Sequence, residues 1–141
     1  MQPEIPSYYF NIFIAFSNIM GIPILSYVDN WSDYCLVLVA IVCSTLMHLS
    51  ERKHQLPGIF PFNEYSTLFL NLDRCFAIFV GGYLIYTRTI RWYSLVAFLL
   101  GLMCMLKSER FSPRQIEFGI YHITWHFFAY VTILLMLYRG D

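Results

Sequence analysis

Apolar residues in this chain run in stretches of about twenty, parted only by short polar links. In lipid no water is at hand to take up backbone hydrogen bonds, so a segment of that length must satisfy its own N–H and C=O groups and cross as a helix. Five spans are predicted, at about 8–27, 34–50, 65–86, 92–106 and 116–138. The expected fold is all-α, a polytopic transmembrane helical bundle making one domain over residues 1–141. Composition agrees: 58% of residues are hydrophobic, 13% are charged and mean hydropathy is +0.56, far from a soluble domain. The formal charge of zero, without any run of Lys or Arg, gives no footprint for nucleic acid or for an anionic-lipid patch.

The spans differ in character. The first carries Asn11 and Asn18 and is expected to kink near Pro23. An acidic link at 29–33 precedes the short second span, and the loop 51–64, with Pro57, Gly58 and Pro61, is the longest. A turn at 87–91 joins the third span to the fourth, and a polar loop at 107–114 leads to the fifth. Cys35, Cys43, Cys75 and Cys104 show no C-x-x-C spacing and are expected to be buried small hydrophobes. Residues 1–7 contain Glu4 but no Lys or Arg, so they lack the basic start of a signal peptide and the first span is expected to persist.

Four ionisable side chains stand where lipid penalises them: His48, Asp73, His122 and His126. Such a group marks a functional site unless it is paired or ligated. His122 and His126 are four residues apart, so a helix puts both imidazoles on one face within reach of one metal ion. His48 ends the second span, whereas Asp73 and the histidine pair lie in the first halves of the third and fifth. With alternating spans all four share one half of the bilayer, on the side of loops 51–64 and 107–114. That side carries Arg52, Lys53, Lys107, Arg110 and Arg114 against Arg88, Arg91 and Arg139 on the other, which by the positive-inside rule makes it cytoplasmic.

Zinc suits these ligands. Three neutral imidazoles leave a fourth tetrahedral position for water and bring its pKa to about 7, the condition for a hydrolase's nucleophile. Asp73 could accept the water's proton or orient a ligand histidine. Ser44, one helical turn before His48, could stabilise an oxyanion or hold the water. Plainer readings stand beside these. A membrane histidine can simply bond a neighbouring helix, Asp73 can pair with Arg74, and Ser44 can be a packing residue. Glu51 and His54 read as loop charges, with gating the site or holding a second ion as their other uses.

The pattern of Ser44 and His48 ending one span, Asp73 in the next, and His122-x-x-x-His126 in the last resembles the CREST superfamily of intramembrane hydrolases. That superfamily includes the alkaline ceramidases, the progestin and adipoQ receptors, GPI-processing phospholipase relatives and myomaker. The resemblance implies zinc on His48, His122 and His126, with Ser44 and Asp73 at the water and a lipid amide or ester as substrate. The separation of His48 from Asp73 is closer to the GPI-phospholipase and myomaker branch. The family has seven spans, two more than are counted here between Asp73 and His122. Loss of an even number preserves helix direction, while a smaller bundle can need a second copy, a homo-oligomer or larger membrane complex, to enclose its lipid.

Two other classes remain open from sequence. One is a haem b protein with His48 facing His122 or His126, and the other is a non-catalytic membrane subunit. The purified protein is expected to contain stoichiometric zinc and no Soret band. A Soret band would assign haem instead, and neither signal would assign the silent subunit.

Overall fold

The computed structural model describes residues 8–110 and 115–138, and among these the bundle is all-α. Helix α1 (Tyr8–Phe16) continues as a 3₁₀ segment (Ser17–Tyr27), α2 covers Trp31–Ser50, a 3₁₀ turn (Phe62–Tyr65) leads into α3 (Ser66–Thr87), and α4 (Trp92–Arg110) and α5 (Gln115–Leu137) follow. Five helical stretches are long and apolar enough to cross a membrane, with Tyr8–Tyr27 and Phe62–Thr87 each counted as one. The features read at Glu4, Pro113, Arg114 and Arg139 lie outside the described residues.

Boundaries differ from expectation for local reasons. Helix α2 starts at Trp31 because Asn30 caps it, the Asn30 side chain accepting from the Asp33 backbone N–H at 2.8 Å. Helix α4 runs on past residue 106 to Arg110, placing Lys107 and Arg110 in its last turn, where basic groups complement the helix dipole. The first span changes from α to 3₁₀ at Ser17, well before Pro23. There the Ser17 hydroxyl donates to the Ile14 carbonyl and the Asn18 amide to the Ala15 carbonyl, so side chains take over carbonyls as the α register ends. Pro23, lacking an N–H, could not have continued that register.

Helix α3 packs along α2 and α4 along α5, while the first span lies against both α2 and α5. It therefore joins two helical hairpins. The main core comprises Ile24, Val37, Ile41, Val80, Leu84, Tyr130 and Leu137. A smaller one under the 51–64 loop joins Ile14, Leu56 and Phe118. Of the cysteines only Cys43 is buried, and Cys75 is exposed. The expectation of four buried cysteines therefore holds for Cys43 alone, Cys35 and Cys104 being half-buried and Cys75 lying on the outer face of α3.

The end away from the histidines has a lock of its own. Asp33, buried at 2% exposure, accepts from the Tyr83 hydroxyl at 2.8 Å and forms an ion pair with Arg88. The supposed acidic link thus ends in a buried carboxylate that ties α2 to the end of α3. Tyr27, Trp31, Tyr86, Trp92 and Tyr138, all at this end, are exposed. That is the aromatic belt expected at a membrane interface.

Gly21 makes the close approach on which the first span's position depends. A Cβ there would lie 2.6 Å from Tyr130 and 2.8 Å from Ile41. Gly82 has open space around it. Gly21→Ala is expected to destabilise the bundle by about 1–3 kcal/mol through overpacking, and Gly82→Ala to leave it unchanged or slightly more stable. Thermal unfolding in detergent, followed by tryptophan fluorescence, compares the two.

Candidate metal centre

Three imidazoles meet at one point between the hairpins. His48 comes from the last turn of α2, and His122 and His126 from successive turns of α5, as their four-residue spacing requires. His48 Nε2 lies 3.1 Å from His122 Nε2 and 3.2 Å from His126 Nε2. All three rings are buried, at 1%, 8% and 5% exposure. Their ligand atoms lie within 4.8 Å of one another, so the three can hold a metal ion.

The other nitrogen of each ring decides what the converging atoms are. Ser17 gives its proton to the Ile14 carbonyl at 2.6 Å, so its oxygen accepts from His126 Nδ1–H, also at 2.6 Å. Ser108 likewise gives its proton to the Met105 carbonyl and accepts from His122 Nδ1–H at 3.3 Å. The Glu51 carboxylate accepts from His48 Nδ1–H at 2.9 Å. With each Nδ1–H donating to its acceptor, the neutral rings turn an Nε2 lone pair toward one another. Three lone pairs aimed at one point repel unless a cation lies between them. Tetrahedral ligation at a Zn–N distance of 2.0–2.1 Å sets nitrogens about 3.3–3.4 Å apart, close to the two distances from His48 Nε2.

A ring of supports holds this arrangement. The Asn11 amide donates to the His48 and Glu51 carbonyls at 2.8 and 3.0 Å, satisfying acceptors left over at the end of α2. Tyr130 donates to the Asn18 side chain at 2.6 Å, fixing α5 against the first span one turn beyond His126. Burial pushes the Glu51 carboxyl above its ordinary range.

Ser44 and Asp73 line the same cavity as the three rings. No ion pair joins Asp73 to Arg74 among the described residues, and Arg74 is exposed. The cavity, of about 390 Å³, continues from the rings between α3 on one side and α4 and α5 on the other. Its lining on α3 runs from Asp73 to Ile85, which at helical rise is about 18 Å, more than the roughly 15 Å of one hydrocarbon leaflet. The outer rim is exposed at Ile85, Leu95 and Phe98, so the cavity opens sideways.

Two residues taken as loop charges prove otherwise. Glu51 is the acceptor for a candidate ligand, a relation its i,i+3 spacing from His48 could have suggested. His54 is buried and stacks on Phe118 with ring centroids 3.9 Å apart, while Phe118 packs on His122 at 5.1 Å. Its position is therefore one of support. Ser17 and Ser108 have no sequence signal, because ordinary serines in apolar spans are packing residues.

Comparisons with protein-family models, curated proteins and solved structures give no match. Glu51→Gln and Ser17→Ala are each expected to weaken metal binding about 10–100-fold without unfolding the protein. Competition with a chromophoric chelator in detergent measures this, and unchanged affinity in both would refute the orienting role.

Proposed function

We infer that the chain is a membrane-embedded zinc hydrolase acting on an amide or ester bond of a lipid. The reading rests above all on the convergence of three Nε2 lone pairs, each set by an acceptor at the opposite ring nitrogen. The order of Ser44, His48, Asp73, His122 and His126, similar to that of the CREST superfamily, adds to it.

Zinc bound there supplies Lewis acidity, polarising a carbonyl and acidifying water. His48, His122 and His126 would hold the ion, and Glu51, Ser108 and Ser17 would keep their rings aimed at it. Asp73 is the residue suited to receive a proton from water, since a carboxylate facing the cavity can return it to a leaving amine or alkoxide. The Ser44 hydroxyl, on the same cavity as Asp73, suits a donor to the carbonyl oxygen or a holder of the water. The cavity's apolar walls, among them Val80, Leu84 and Ile133, suit an acyl chain, which could enter from lipid through the exposed rim.

Bis-histidine haem fits less well. Axial imidazoles stand on opposite faces of a porphyrin, roughly twice a 2 Å metal–nitrogen bond apart. The nitrogens of this site approach to 3.1 and 3.2 Å and leave no room for a macrocycle.

His122→Ala and His126→Ala are each expected to release the metal and abolish lipid turnover. Asp73→Asn is expected to keep the metal and lose turnover by about 10²–10⁴-fold, the usual worth of a general base. Zinc content by mass spectrometry, with fatty-acid release from a fluorescent lipid ester or amide, reads both. Full metal content in the His122 variant would remove the ligand assignment, and full turnover in Asp73→Asn the proton-transfer role.

A further inference from the structure

A second cavity, of about 240 Å³, lies beside the metal centre between the end of α2 and the start of α3. Its polar wall carries the Glu51 carboxylate and four further side chains, Arg52 and Lys53 from the loop leaving α2 and Ser66 and Thr67 in the first turn of α3. Arg52, Lys53 and Thr67 are exposed and Ser66 is half-buried. Among the described residues, none of these four side chains gives or receives a hydrogen bond. The first turn of α3 contains no acidic residue, and Glu64 stands in the 3₁₀ turn just before it.

Two cations and two hydroxyls around one small space complement a phosphate, whose oxygens accept charge-assisted hydrogen bonds. The single carboxylate on the wall, Glu51, has its Oε2 engaged with His48 Nδ1 at 2.9 Å, so two cations stand against one carboxylate. Two adjacent basic residues are too few to register as a charged patch in the sequence. They gain meaning only when the chain brings Ser66 and Thr67 opposite them.

Placement identifies the phosphate's source. Met47 lines both this cavity and the larger apolar one, so the two adjoin on either side of the same side chain. The small cavity is made of a loop and helix ends, at headgroup level, and the large one runs into the hydrocarbon. The candidate metal ligands line the large cavity, and His48 follows Met47 in α2. A molecule filling both would carry an anionic group at one end, an acyl chain at the other, and its linking bonds beside the three imidazoles.

We propose that Arg52, Lys53, Ser66 and Thr67 form a binding site for the phosphate of a membrane phospholipid, which makes the substrate a phosphate-bearing lipid and not a neutral one. The site rests on the hydrolase reading for its role as a substrate subsite, but its binding is measurable without turnover.

The test uses the full chain in maltoside micelles with three probes: oleoyl lysophosphatidate, monoolein, which has the same chain and glycerol without phosphate, and inorganic phosphate. Isothermal titration should show lysophosphatidate binding at least about tenfold tighter than monoolein, as charge-assisted contacts imply. The exposed double variant Arg52→Gln/Lys53→Gln should erase that preference and retain zinc, and Thr67→Val should reduce it. Equal binding of the two lipids by the wild type would overturn the proposal, as would a preference that survives in the double variant. Inorganic phosphate binding as tightly as lysophosphatidate would also overturn it, by assigning the site to a free anion. Zinc content, measured on the same wild-type sample, reports separately on the reading beneath.

Discussion

Burying three imidazoles in lipid is costly unless something answers the lone pairs they direct at one another, and the rest of the bundle is arranged to keep them so directed. Each ring is held from behind by a different element: His48 by Glu51 just past α2, His122 by Ser108 on α4, and His126 by Ser17 on the first span. With the serine protons on backbone carbonyls three residues earlier, the serine oxygens are left to accept from the rings. A packing histidine would use a ring nitrogen to bond the next helix. Here all three outward nitrogens have partners, and the inward nitrogens of His122 and His126 both face that of His48.

This requirement explains features that would otherwise be awkward. The first span leaves the α register at Ser17, one of the histidine acceptors, and its 3₁₀ course brings Gly21 close against Ile41 and Tyr130. Asn11 closes the end of α2 by capping the carbonyls of His48 and Glu51, so the last turn of α2 cannot fray away from the site. At the far end Asp33, Tyr83 and Arg88 fasten α2 to α3. Between these two fastened ends the large cavity can stay open without the hairpins closing on it.

Much of this was legible in the sequence, because hydropathy fixes spanning helices and the i,i+4 pair fixes a helix face. His48 could be matched to His122 and His126 by depth alone, since alternating spans put the end of one level with the start of another. Ser44 and Asp73 were legible in the same way as neighbours in one cavity. The orienting residues were not. Ser17 and His126 are 109 positions apart and neither spacing nor composition connects them. Asp33 read as a link residue because its partners, Tyr83 and Arg88, come from the other end of a hairpin. His54 read as a solvated charge because its neighbours Glu51, Arg52 and Lys53 are charged, yet it stacks beneath them on Phe118.

The convergence of His48, His122 and His126 on one cation is tested most directly by X-ray absorption at the zinc edge of the purified protein. A three-imidazole centre requires three nitrogen scatterers at about 2.0–2.1 Å with the outer-shell pattern of imidazole, and one further light ligand. Sulfur in the first coordination sphere, fewer than three imidazoles, or a protein that takes up no zinc would contradict it.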